Sequence, residues 1–346
     1  MTTPGPWTYN SRRRMMPDVM TRAVWPVDLE AITAARDRIR PFVPVSPLRS
    51  YPVLDAEVGR GISVLVKHEN FNPTNSFKVR NAFSLMTALS ADERRRGIVA
   101  ATRGNHGLGL AYAGKEFGVP VTICVPLGNN PEKNAAMRAL GVRLIEEGRD
   151  YDESVTVANR IVGAEGARLA HSTNDVEIIA GAGTMALEIA EQAPALDALV
   201  IAVGGGSQAV GAMAVMRALD RPVQVYAVQA AGASATHDGW HAGKRLVTES
   251  ANTIADGLAT RSSYEMTFDA LREGLADFIT VTDTEIANAM RILLRSTHSL
   301  VEGAGAAGMA GLLALRERLA GQGVGIVLSG GNVDERTLTR VLNGDV

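Results

Sequence analysis

The reading of this chain turns on the stretch Asn72-Pro-Thr-Asn-Ser-Phe-Lys-Val-Arg-Asn81. It lies between a strand-like apolar run, Ser63 to His68, and a helix-like run, Val79 to Leu89. Lys78 is one of five lysines among 35 Lys and Arg, so the chain writes its positive charge almost entirely as arginine. Arginine keeps its proton, whereas a desolvated lysine can become a neutral amine and attack a carbonyl. The position therefore points to Schiff-base chemistry. A solvated cation at a helix start is the competing reading of this stretch alone.

Three further stretches bear on that choice. Ala198-Leu-Val-Ile-Ala-Val203 is followed by Gly204-Gly-Gly-Ser207 and a small-residue, helix-like run from Gln208 to Leu219. A buried strand, a glycine turn and a helix start make an anion site, because bare backbone N–H groups and the helix terminus both favour negative charge. The loop has neither the Gly-Lys-Ser/Thr of a nucleotide-triphosphate loop nor a GxGxxG pattern; a tight strand-to-helix turn is the alternative. Val99-Ala-Ala-Thr-Arg-Gly-Asn-His-Gly107 again runs from strand to helix. Thr102, Asn105 and His106 offer polar groups suited to a carboxylate, although Asn is also a good helix cap. Gly325-Ile-Val-Leu-Ser-Gly-Gly-Asn332 delivers one hydroxyl, Ser329, just before a Gly-Gly turn.

Taken together, in this order, the four stretches resemble the fold-type II pyridoxal-phosphate enzymes, in particular the serine/threonine dehydratase and serine racemase family. The resemblance runs from about Val45 to Asp334. It includes His171-Ser-Thr-Asn174, Ala180-Gly-Ala-Gly-Thr184, Thr253-Ile-Ala-Asp-Gly257 and Val301-Glu-Gly303. It implies an α/β fold like the tryptophan synthase β chain, with two open, twisted, mostly parallel sheets and helices on both faces. Short apolar runs alternating with helix-like runs agree with buried parallel strands. The implied domains are a large cofactor-binding one from residues 1–96 and 171–346 and a small one from 97–170.

The resemblance also implies roles. Lys78 would hold pyridoxal 5′-phosphate as a Schiff base and then act as base at Cα. Phe77 would pack on the ring, Asn105 would bond its 3′-oxygen, and Gly204, Gly205, Gly206 and Ser207 would hold the phosphate. Ser329 would face the pyridine nitrogen, where a neutral hydroxyl stabilises a pyridinium less than a carboxylate would. Ser76, Thr102, Arg103, Asn105 and His106 would contact the substrate. Glu302 falls where the family has a carboxylate near the cofactor, with a helix cap as the alternative. The implied activity is loss of water from a β-hydroxy amino acid such as threonine, serine or a larger analogue, giving a 2-oxo acid and ammonia. An amino acid racemase, a β-replacement synthase of the same fold and a non-catalytic cofactor-binding protein are the alternatives. A homodimer is the family expectation. Twelve residues follow Asp334, so no C-terminal regulatory domain is expected.

Composition narrows the classes. A net charge of −2 supplies no basic field for nucleic acid or membrane, and no apolar run is long enough to span a bilayer. One cysteine, Cys124, rules out a disulfide framework within the chain and reads as a buried thiol. Without an apolar leader, a cytoplasmic location is expected; Arg12-Arg13-Arg14 reads as a solvated arm. His68, His237, His241 and His298 show no paired ligand pattern and read as packing residues, as do Met213 and Met216. Asn75 and Asn81 stand where relatives usually have glycine, and Thr173 replaces an Asn of racemase-like members. Gln229 replaces a glutamate that often helps bind a divalent cation, so no metal site is expected. Arg103 replaces a small residue. A guanidinium is a very poor acid, so little racemase activity is expected. It either points to solvent or pairs with an acidic residue, or it enters the cleft and binds a polar or anionic distal group.

Overall fold

The computed structural model describes residues 24–220 and 223–346, so the triple arginine lies outside the described residues. Ten strands are present among them: Leu48–Ser50 (β1), Ser63–Lys67 (β2), Ile98–Ala101 (β3), Val121–Val125 (β4), Arg143–Glu146 (β5), Arg168–Leu169 (β6), Ala198–Ala202 (β7), Gln224–Ala230 (β8), Asp277–Val281 (β9) and Gly323–Val327 (β10). They form a six-stranded sheet ordered β1-β2-β10-β7-β8-β9 and a four-stranded sheet ordered β5-β4-β3-β6. Every pairing is parallel except β1 with β2. The fold is therefore the two-sheet α/β architecture expected.

Alternation along the strands explains the layering, because successive side chains leave a strand on opposite faces. In the larger sheet Val200, Val228 and Ile326 pack into one core with the helices Asp283–Thr297 and Gly303–Leu315. Leu199, Ile201 and Ala227 pack into a second core with the helices Val176–Gln192 and Ser207–Met216. Met213 and Met216 belong to that second core. The smaller sheet buries Ile98, Ala100 and Ile123 against the helices Lys78–Ala88 and Asn105–Phe117. Its other face carries Cys124, whose thiol burial pushes up to about 11. All four strands of this sheet come from residues between 98 and 169.

Helix starts follow local chemistry. The helix Tyr151–Glu165 begins where it does because the Asp150 carboxylate caps it by accepting the Glu153 N–H at 3.0 Å. The helix Asn105–Phe117 has Gly104 at its cap position with no side-chain cap bond. Asn105 and His106 thus lie in its first turn, and Asn105 is no cap. Three histidines of the packing group have hydrogen-bond partners: His68 Nε2 meets the Tyr51 hydroxyl at 2.9 Å, and His241 Nε2 meets the Phe278 carbonyl at 3.1 Å. His237 Nδ1 meets Asp238 at 2.8 Å, and Gln229 Oε1 accepts the His237 N–H at 2.9 Å.

Candidate active site

The segments that follow β3 in the smaller sheet and β7 and β10 in the larger one line the same cleft, at the carboxyl ends of strands where α/β sheets bind ligands. The cleft is lined by Lys78, Phe77, Thr102, Arg103, Asn105 and His106 on one side. Gly204 to Gln208 and Ser329 line it from the larger sheet, and Glu302 lines it from the loop before Gly303–Leu315.

Long-range backbone pairing places Lys78. The segment before it runs beside the turn after β10: Ser76 bridges Gly330, the Phe77 N–H donates to the Ser329 carbonyl at 3.0 Å, and the Gly331 N–H donates to the Asn75 carbonyl at 2.9 Å. Asn75 sits in the left-handed region, φ +52°, which Asn tolerates better than most residues. Its presence where glycine is usual has that physical reason. Ser76 does not line the cleft: it is fully buried, and its hydroxyl accepts the Lys78 N–H at 3.3 Å. It braces the lysine's backbone.

The Lys78 ammonium lies 3.4 Å from the Ser172 carbonyl and 4.8 Å from the centre of the Phe77 ring. Burial pulls its pKa down to about 8, because the low-dielectric surroundings disfavour the charged form. A sizeable fraction of the amine is therefore neutral near physiological pH.

The glycine turn is built for an anion. Among the described residues, the N–H groups of Gly204, Gly205, Gly206 and Ser207 reach no protein acceptor, and no side chain caps the helix that follows. Gly206 has φ +96°, a conformation that a side chain would strain. A Cβ on Gly205 would lie 2.0 Å from Thr173 Oγ1, and one on Gly204 would lie 2.5 Å from the Gly257 carbonyl.

Glu302 is more firmly placed than its sequence suggests. It occupies the cap position of Gly303–Leu315 without making a cap bond. Its carboxylate instead accepts from Asn105 Nδ2, while Asn105 Oδ1 accepts from Asn332 Nδ2 at 2.8 Å. Burial raises the Glu302 carboxyl to about 6, against the opposing pull of Lys133 and Asn105. His106 Nε2 faces the Ala170 carbonyl at 2.9 Å; burial and the nearby Lys78 charge lower its pKa to about 3. Thr102 Oγ1 accepts the Gly104 N–H at 3.0 Å.

Sequence reasoning passed over Lys133 and Tyr151 and gave no role to Ser172 and Asp256 within the stretches it singled out, yet all four line the cleft. Lys133 Nζ pairs with Asp256 at 2.8 Å, joining the small-sheet side of the cleft to the large. Burial works against the Lys133 charge, but Glu302 and Asp256 outweigh it and raise its pKa. The scarcity of lysine that singled out Lys78 applies equally to Lys133. The Tyr151 hydroxyl lies 2.9 Å from Ser172 Oγ.

The chain belongs to the pyridoxal-phosphate dependent enzyme family, whose model matches residues 39–330. It is 36% identical over 317 residues to an L-threonine ammonia-lyase of Thermotoga maritima, covering 92% of this chain and 78% of that protein. It is 32% identical to an L-threo-3-hydroxyaspartate ammonia-lyase of a Pseudomonas species, covering 90% of this chain and 98% of the relative. The solved structure of maize serine racemase superposes with a TM-score of 0.86 at 31% identity, covering 93% of this chain and 98% of that one. The residues present fit the cofactor: the free N–H groups of the glycine turn suit a phosphate, and the depressed Lys78 amine suits an aldehyde. Among the described residues no helix is long and apolar enough to cross a membrane.

Proposed function

We propose that the chain is a lyase that removes water from a β-hydroxy amino acid and releases a 2-oxo acid and ammonia. The observation that carries this is the convergence of a neutralisable lysine and four unpaired backbone donors on one cleft. Bound there, pyridoxal phosphate supplies an electron sink that acidifies the substrate's Cα–H bond. Lys78 takes that proton, a task for which a base with a pKa near working pH is suited. Cleavage of the Cβ–O bond then releases the hydroxyl as water; the unsaturated amine adds water and loses ammonia, so that the net change is loss of ammonia alone.

In this reading Gly204, Gly205, Gly206 and Ser207 hold the phosphate, and Ser329 presents a neutral hydroxyl to the ring nitrogen. Asn105, held by Glu302 and Asn332, faces the ring oxygen. The first-turn N–H groups of the helix Asn105–Phe117, with Thr102, grip the α-carboxylate; such groups have no partner within a helix. The buried Nδ1 of His106 has no protein partner and completes the polar wall. The relatives named above as ammonia-lyases support elimination over the racemase alternative.

Residues 97–170, the origin of the four-stranded sheet, make the small domain, and 1–96 with 171–346 make the large one, residues 1–23 lying outside the described ones. A cytoplasmic homodimer completes the proposal, and light scattering of the purified protein checks its size. The function is tested with a panel of L and D serine, threonine and longer β-hydroxy amino acids, scored for 2-oxo acid and ammonia. Equimolar release of both products from at least one member is expected. Conversion of one enantiomer into the other without ammonia would instead support the racemase.

A further inference from the structure

We infer that Arg103 makes this cleft selective for β-hydroxy amino acids bearing a second negative group, a carboxylate at or beyond Cβ. The inference rests on the ammonia-lyase reading above and names its substrate class. Arg103 is half-buried in the loop between β3 and the helix Asn105–Phe117. Its Nε is buried with no hydrogen-bond partner, and among the described residues the guanidinium forms no ion pair. The pairing with an acidic residue that the sequence left open is thus not made among the described residues, and the buried Nε and the cleft lining speak against a side chain turned to solvent.

Its neighbours sharpen the point. Lys133, the other cation at this end of the cleft, is committed to Asp256 at 2.8 Å, and its stem lies over Gly104, where a Cβ would meet Lys133 Cδ at 2.8 Å. Glu302, the other carboxylate there, is engaged by Asn105. Unlike Lys133, Arg103 carries a charge with no carboxylate partner among the described residues. It lines both the inner cavity, which holds Lys78, and an adjoining outer cavity of mixed charge, where Arg336 and Arg340 stand with Glu132, Asp283 and Asp334. Arg103 thus stands where the two cavities meet. The α-carboxylate has its own donors at the helix start, so Arg103 is left for a second anion.

A guanidinium presents forked N–H donors that match a carboxylate in two bonds. A substrate with a methyl or hydrogen at that position leaves the buried donor unpaired, which a site built for hydrogen bonding discriminates against strongly. A charge-assisted bond of this kind is worth about tenfold to a hundredfold in specificity.

The test compares wild type, Arg103→Ala and Arg103→Lys, all as holoenzyme, on threonine, serine and 3-hydroxyaspartate. A second readout is calorimetric binding of aspartate and of 2-aminobutyrate, neither of which carries a β-hydroxyl leaving group. The expected result is a ratio of kcat/KM, 3-hydroxyaspartate over threonine, that falls about tenfold to a hundredfold in Arg103→Ala and partly recovers in Arg103→Lys. Aspartate binding should weaken by a similar factor relative to 2-aminobutyrate. Equal losses on all substrates would overturn the inference, since Arg103 would then hold the α-carboxylate common to them. If no substrate yields a 2-oxo acid, the ammonia-lyase reading fails, while the two binding constants still decide what Arg103 recognises.

Discussion

At the scale of single residues, Lys78 shows how burial converts a common side chain into a reagent. Its amine is drawn down to about 8 from the usual 10.5 because nothing nearby compensates its desolvated charge. The lowered pKa means that the neutral, reactive form dominates above pH 8. The rate at which the apo-protein takes up pyridoxal phosphate should therefore climb with pH through about 8 and level off beyond it. Borohydride treatment followed by peptide mapping should then find the pyridoxyl group on Lys78, and Lys78→Ala should carry none. A rate still climbing toward pH 10.5, or label on another lysine, would contradict this assignment. The sequence marked Lys78 through composition and neighbours. It left Glu302 between cap and cofactor partner, because the two differ only in where a side chain turns, and that is set by Asn105, 197 residues away.

At the scale of elements, the strand–glycine–helix unit of β7 and Ser207–Met216 is specified locally, and its glycines are required by what packs against them. Gly205 faces Thr173, with Oγ1, Cβ and Cγ2 all within 3.0 Å of where a Cβ would stand. Gly205→Ala must displace Thr173 or the turn. Overpacking of this sort costs about 1–3 kcal/mol, so cofactor affinity should weaken by about tenfold to a hundredfold. Thr173→Ala placed in the same chain removes Oγ1 and Cγ2 and should restore part of that loss. Fluorescence titration of the apo-proteins measures both. Undiminished affinity in Gly205→Ala would mean that the turn does not hold the phosphate.

At the scale of the whole molecule, a buried charge network ties together the pieces that carry Lys78. Arg80, two residues after it, pairs with Glu69 at 2.7 Å and with Glu188 at 2.7 Å, and Lys67 pairs with Glu188 at 2.6 Å. Glu69 follows β2, and Glu188 lies on the helix Val176–Gln192, so the network clamps the helix Lys78–Ala88 from two sides. All four side chains are at most 4% exposed. Removing one partner from such a set strands a buried charge, which typically costs about 3–5 kcal/mol. Arg80→Leu should lose about that much in denaturant titration followed by fluorescence. A loss below about 1 kcal/mol would place the network among those that hydrophobic packing replaces freely.

The amino-acid sequence by itself determined the order of strands and helices, the buried parallel character of the sheets and the three loops that meet at the cleft. Those features depend on side-chain period, on glycine and on helix-starting residues, all of which act over a few positions in the chain. Only the tertiary structure decided that Ser76 braces the backbone against Gly330, that Lys133 spans the cleft to Asp256, and that Arg103 has no carboxylate of its own. Each of these depends on which partner from a distant segment comes within about 3 Å, and hydrogen bonds and ion pairs are decided at that range by packing rather than by local pattern.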